Sequence, residues 1–123
     1  MSRELSRAFL DSIIITAVEG GIDYWATVSK YKWHDENEDD TFVDECVVAD
    51  CEAPEVKYKV DAEAIAGGIQ LILDGGQHFR STGMKALATA IMQAISEGDI
   101  GNLDAGDCDC ILQAAIFGQV IFG

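Results

Sequence analysis

Apolar residues recur at helical spacing from Ser2 to Glu19, where Leu5, Phe9, Ile13 and Ala17 are joined by Leu10, Ile14 and Val18. The pattern predicts a first helix with Arg7 and Asp11, four residues apart, on its polar side. Gly20 and Gly21 end it, since glycine most easily takes up the left-handed turn at a helix C-terminus. From Ile22 to Trp33 the period falls to two, with Tyr24, Ala26, Val28 and Lys30 on one parity and Trp25, Thr27 and Tyr31 on the other, which predicts a strand. Asp35 to Asp40 reads as a polar turn, Phe42 to Ala49 as a second strand and Val56 to Val60 as a third. Pro54 falls in the connection, where its missing donor does least harm.

Beyond Asp61 the helical period returns. Ile65, Ile69, Ile72 and Leu73 form one face of a second helix closed by Gly75 and Gly76, although Gly67 and Gly68 inside it weaken the pattern. A third helix is expected from Thr82 to Glu97, stopped by Gly98, and a fourth from Asp104 to Phe117, stopped by Gly118. Gln119 to Phe122 remains as a short final strand. Without repeats or a dividing linker, residues 1–123 are expected to form one α+β domain: an antiparallel sheet of three to four strands packed on one face by about four helices.

Charge changes this picture more than composition does. The 123 residues contain 22 acidic against 8 basic side chains, a formal charge of −14, so direct binding to nucleic acid or to an anionic membrane is not expected, and a basic partner is. Ten of the acids, Asp35, Glu36, Glu38, Asp39, Asp40, Asp44, Glu45, Asp50, Glu52 and Glu55, fall within 21 residues that hold no Lys or Arg. Closely spaced carboxylates on a hairpin can imitate a phosphate row; equally, such a run serves as a solvated tip that keeps a protein soluble. The stretch has no glycine for a calcium loop of the EF-hand type, and no metal or cofactor is expected.

Cys46, Cys51, Cys108 and Cys110 lack zinc-site spacing. With neither a signal sequence nor an apolar run long enough to cross a membrane, they are read as reduced thiols in a cytoplasmic protein. Asp107 and Asp109 beside Cys108 oppose thiolate formation there. His34 and His78 are the only histidines and neither adjoins a recognisable nucleophile, so an enzyme is not expected. Arg80 and Lys85 flank the start of the third helix, where a cation opposes the helix dipole unless an anion is near, either a ligand phosphate or a carboxylate of the same chain. Glu19, at a helix C-terminus, calls for a compensating charge such as Lys57 or Lys59. Glu19, Tyr24, Trp25, His78 and Arg80 together make an alternative ligand pocket for a nucleotide-like molecule.

The segments TAVEGGIDYW (Thr16–Trp25) and LDAGDCDCILQAAIFGQVIFG (Leu103–Gly123) resemble a family of small, uncharacterised acidic proteins of bacteriophages and actinobacteria. The resemblance implies phage or mobile-element company and brings no catalytic residue with it. Taken with the charge, it leads to the expectation of an inhibitor, of anti-CRISPR or anti-restriction type, that acts as an acidic nucleic-acid mimic on a basic, nucleic-acid-binding host defence protein. A small-molecule binding module and a phage structural or assembly protein are the alternatives. The apolar segment Val120 to Phe122 is a candidate for pairing in a homodimer.

Overall fold

Capping side chains and apolar stripes divide the chain where the sequence suggests, and the computed structural model describes residues 5–37 and 40–123. Helix α1 spans Arg7–Gly20; β1 is Ala26–Asn37, β2 Asp40–Asp50 and β3 Tyr58–Lys59; α2 is Ala62–Asp74, α3 Thr82–Glu97 and α4 Ala105–Phe117. A single 3-10 turn, Gln77–Phe79, joins α2 to α3. The strands form one antiparallel sheet in the order β1-β2-β3. The fold is therefore α+β, with a three-stranded antiparallel sheet and four helices. Among the described residues no helix is long and apolar enough to cross a membrane.

Several boundaries differ from the sequence pattern, among them the start of β1, at Ala26 rather than Ile22, and β3, which is Tyr58–Lys59 rather than Val56–Val60. The Ser6 hydroxyl accepts a hydrogen bond from the Phe9 N–H and so starts α1 at Arg7 rather than at Ser2; residues 1–4 lie outside the described residues. The hairpin strands run past the expected turn, β1 to Asn37 and β2 from Asp40, because cross-strand hydrogen bonding continues through residues whose side chains are charged. Gln119 to Phe122 is not a strand. It packs as an irregular tail, because its backbone finds a side chain instead of a neighbouring strand.

Helix α4 is the centre of the helical layer. Cys108, Asp109, Ile111, Leu112, Gln113 and Ala114 are all buried in it, and α1 and α2, which also touch each other, both pack against it. Close approach is made with glycine: a Cβ on Gly68 of α2 would lie 2.8 Å from the Ile111 carbonyl oxygen and the Ala115 nitrogen, and one on Gly21 would lie 2.5 Å from the Ala105 carbonyl oxygen. Gly68 therefore does not weaken α2 but sets its distance from α4. Gly67 beside it faces open space.

The sheet is fastened to this layer through α1. Asp11 is not on a polar side: it is 1% exposed, accepts from the Val43 N–H at 2.9 Å and from Arg7 Nε at 3.1 Å, while the other arm of Arg7 donates to the Val43 carbonyl at 2.9 Å. Val43 lies on the edge of β2 beyond the reach of the short β3, and the Arg7–Asp11 pair takes the place of the missing strand. The Arg7 guanidinium also lies over the Phe42 ring, 5.2 Å from its centroid.

Candidate functional site

Three regions hold the residues that the sequence singles out: the hairpin β1–β2, the cleft between that hairpin and α1, and the docking site of the C-terminal tail. Along the hairpin, bulges at Ser29 and Asp44 shift the register, so that Lys32 faces Glu45 and Trp33 faces Val43. His34 Nδ1 lies 2.8 Å from Asp44, and its Nε2 3.7 Å from Glu36. The hydrogen bond to Asp44, with Glu36 nearby, raises the His34 pKa above its ordinary value. These contacts and Arg7–Asp11 are the ion pairs among the described residues.

The ten acids do not form one surface. Asp35, Glu36, Asp44 and Glu45 belong to the distal half of the hairpin, with Asp40 at the head of β2. Glu38 and Asp39 lie outside the described residues. Asp50 pairs with Ala26 at the other end of β2, ten residues or about 33 Å from Asp40 at the usual rise of a strand. Glu52 and Glu55 sit in the turns that follow. The acidic run is thus split between the tip and the root of the hairpin.

The alternative pocket is not assembled. Trp25 is 3% exposed and belongs to the core. Tyr24 and Trp25 line a concavity of about 310 Å³ at the hairpin root with Asp50, Cys51, Glu52, Phe122 and Gly123, whereas Glu19 lines a different cleft. His78 and Arg80, on and after the 3-10 turn, line neither. Neither Arg80 nor Lys85 enters an ion pair among the described residues. Lys57 and Lys59 do not compensate Glu19 either; Lys59 is paired with Val47 on the far edge of the sheet.

Glu19 stands instead by Tyr31. Its cleft has a volume of about 240 Å³ and is lined by Ile15, Glu19, Tyr31, Trp33, Asp35 and Thr41. Tyr31, Trp33 and Asp35 alternate along β1 and so share one face. The Tyr31 hydroxyl is buried beside the Glu19 carboxylate, outside ideal hydrogen-bond geometry. Burial first, and the Glu19 carboxylate second, push its pKa up to about 12. Asp35 accepts a hydrogen bond from the Thr41 hydroxyl across the hairpin. Trp33 is 53% exposed.

At the tail, the buried Asp109 carboxylate accepts from the Tyr24 hydroxyl at 2.6 Å, Trp25 Nε1 at 2.8 Å and Gln113 Nε2 at 2.9 Å. Gln113, fully buried, also accepts the Ile121 and Phe122 N–H groups at 2.9 and 2.8 Å and donates to the Phe122 carbonyl at 3.2 Å. Its amide thus reads the tail backbone as a neighbouring strand would. Phe122 stacks on Trp25 with 5.1 Å between centroids. Burial and the bond to Asp109 raise Tyr24 to about 12. Tyr24 and Trp25, Asp109 and Gln113 of α4, and the tail from Ile121 to Phe122 therefore meet in one largely buried network.

The cysteines carry no reactive thiol in the core. Burial raises Cys46 to about 11 and Cys108 to about 12, the latter helped by Asp107 and Asp104, so burial outweighs the helix start near Cys108. Cys110 is raised to about 11 by burial and Asp109, and Cys51 is exposed in the turn after β2. Among the described residues no three His, Cys, Asp or Glu side chains converge as a metal site.

Sequence reading missed Asp11, Asp109 and Gln113. The available signal was a polar residue inside an apolar helical run, as Gln113 is in Ile111–Phe117. It also missed the Tyr31, Trp33, Asp35 face, which the i, i+2, i+4 spacing would have given. Compared with protein-family models, with curated proteins and with solved structures, the chain matches none.

Proposed function

We propose that this chain is a phage or mobile-element inhibitor that binds a basic, nucleic-acid-handling defence protein of the host through the hairpin β1–β2. The observation that supports it is the state of the hairpin carboxylates: among the described residues none is paired with Lys or Arg, and His34 alone meets Asp44 and Glu36. A basic groove would supply the missing counter-charges and gain by releasing its own counterions.

The likeness to nucleic acid is one of sign and extension. Strand β2 carries four acids, Asp40, Asp44, Glu45 and Asp50, over a length in which one DNA strand carries about ten phosphates. The distal half of the hairpin, which carries Asp35, Glu36, Asp44 and Glu45, is the contacting part. A particle protein joined by its sheet edge is less well supported, since the outer strand β1 is broken by a bulge at Ser29 and bears exposed Lys30 and Lys32, both of which hinder strand addition.

The test is capture of partners by the tagged protein at low salt, with the Glu36→Lys, Glu38→Lys, Asp39→Lys, Asp40→Lys variant beside it. A basic nucleic-acid-binding protein should be retained by the wild type, released by rising salt and not retained by the variant. With four charges neutralised, affinity should fall roughly a hundredfold between 50 and 200 mM salt if release resembles that from DNA. Retention that is the same for both proteins refutes the proposal.

A further inference from the structure

We infer that the outer face of the sheet, turned away from α1, is a weak and salt-sensitive dimer interface whose partner is a second copy of this chain.

Alternation and pairing decide what lies on this face. Tyr31, Trp33 and Asp35 line the cleft beside α1, so Lys30, Lys32, His34 and Glu36 point the other way. Cross-strand partners share a face, which adds Val47 opposite Lys30, Glu45 opposite Lys32, Phe42 opposite His34 and Lys59 opposite Val47. Asp44, at the bulge, joins them through its contact with His34. Phe42, Glu45 and Val47 are half-buried and the rest are exposed.

The charges on this face are ordered along the strands. Lys30, Lys32 and Lys59 occupy the half nearer the root, and Lys57, exposed two residues before Lys59, continues it by alternation. Glu36 and Asp44 occupy the half nearer the tip, while Glu45 stands between. Four of the eight cationic side chains of a chain with charge −14 are thus gathered here. Although Glu45 faces Lys32, none of these lysines enters an ion pair among the described residues. Six residues separate Lys30 from Glu36, about 20 Å along a strand, against a screening length of about 8 Å at physiological salt. The two ends therefore act as separate patches of opposite sign.

That order is self-complementary. A two-fold axis lying in the interface and running across the strands sets the basic half of each copy over the acidic half of the other, so both ends are matched at once. A nucleic acid would meet the lysines but also Glu36, Asp44 and Glu45, and a basic protein would be repelled by the lysines. A second copy brings the same pattern in reverse. The face spans roughly 14 by 23 Å, from three strands about 4.8 Å apart and seven residues at about 3.3 Å, well below the roughly 800 Å² per partner of a standard interface. Such a dimer is weak and held chiefly by charge, with Val47 as its apolar contribution. Glu36 and Asp44 also belong to the distal half of the hairpin, so a basic partner and a second copy compete for them.

The experiment follows the full chain by sedimentation velocity at rising concentration up to about 1 mM, in about 50 mM and about 500 mM salt. The wild type should shift towards a dimer at low salt and return to monomer at high salt. Lys30→Glu with Lys32→Glu, and separately Glu36→Lys with Asp44→Lys, should each weaken self-association at least tenfold by setting like charges face to face. Mixed in equal amounts, the two variants should dimerise again, because each then meets its opposite at both ends. All four positions are exposed, and wild-type circular dichroism verifies that the fold is kept. A wild type that stays monomeric at low salt, dimers that persist at high salt, a variant that associates like the wild type, or a mixture that stays monomeric would each overturn the inference. The Lys30→Glu, Lys32→Glu variant keeps every hairpin carboxylate, so its capture of a basic partner is read separately from its self-association.

Discussion

Val43 has both of its outward backbone groups held by side chains from α1, Asp11 on the N–H and Arg7 on the carbonyl. Removing the buried carboxylate leaves a donor unsatisfied and strands the guanidinium, so Asp11→Ala should lower stability to urea by about 2–3 kcal/mol. Asp11→Asn, which keeps an acceptor for Val43, should lose less. On the neighbouring rung of the hairpin, where it pairs with Phe42, His34 titrates as a located charge. Its folded pKa lies above the unfolded value of 6.5 because Asp44 and Glu36 favour the imidazolium. Its contribution is therefore fully present below pH 6.5 and is lost as pH rises through the raised value. The thermal midpoint of the wild type should exceed that of His34→Ala at pH 6, with the difference shrinking by pH 8, and an NMR titration of Asp44→Asn should show the His34 midpoint moving down. Neither role was legible in the sequence. The spacing of Arg7 and Asp11 gave their mutual contact but not the strand they face, and the His34 contact depends on a bulge that no local pattern marks.

Helices proved more legible than strands. Asp104, with its reciprocal bond to Asp107, and Gly98 and Gly118, with left-handed backbones, mark ends that local chemistry decides. The strand bounds depart from their apolar pattern in both directions, β2 running longer, β1 shifted towards the turn and β3 cut to two residues, because pairing partners, not propensity, fix where a ladder starts and stops. The tail was misjudged for the same reason: its alternation suits a strand, but Gln113 occupies the groups a neighbouring strand would need. The glycine pair in α2 separates two effects that sequence cannot. Gly67→Ala should stabilise the protein by about 0.5–1 kcal/mol through helix propensity, since nothing lies within 4 Å of the new methyl group. Gly68→Ala should destabilise it by about 1–3 kcal/mol, because its methyl group meets the backbone of α4, which cannot turn aside as a side chain would. Denaturant melts of the two single variants give opposite signs if α4 is placed as described.

Over the whole molecule the charge is uneven. The sequence disclosed an acidic run, and the fold draws it out along a hairpin, separating the tip acids from Asp50, Glu52 and Glu55 at the root, where Tyr24 and the tail lie. Of the site candidates, the acids kept their relation to one hairpin, while the five residues of the alternative pocket were scattered because spatial convergence across 62 positions, from Glu19 to Arg80, leaves no trace in spacing. One long-range contact has a bearing on how the protein is made. The bond from Trp25 to Asp109 joins residues 84 apart, so it closes after the hairpin and the helical turns, whose contacts are local, have had time to form. Trp25 is buried against Phe122 and Trp33 stands on the hairpin half in solvent. The two indoles thus divide the emission of the protein between its last event and its outermost surface, and a Trp33→Phe chain would fluoresce as a clock for the moment the tail comes home.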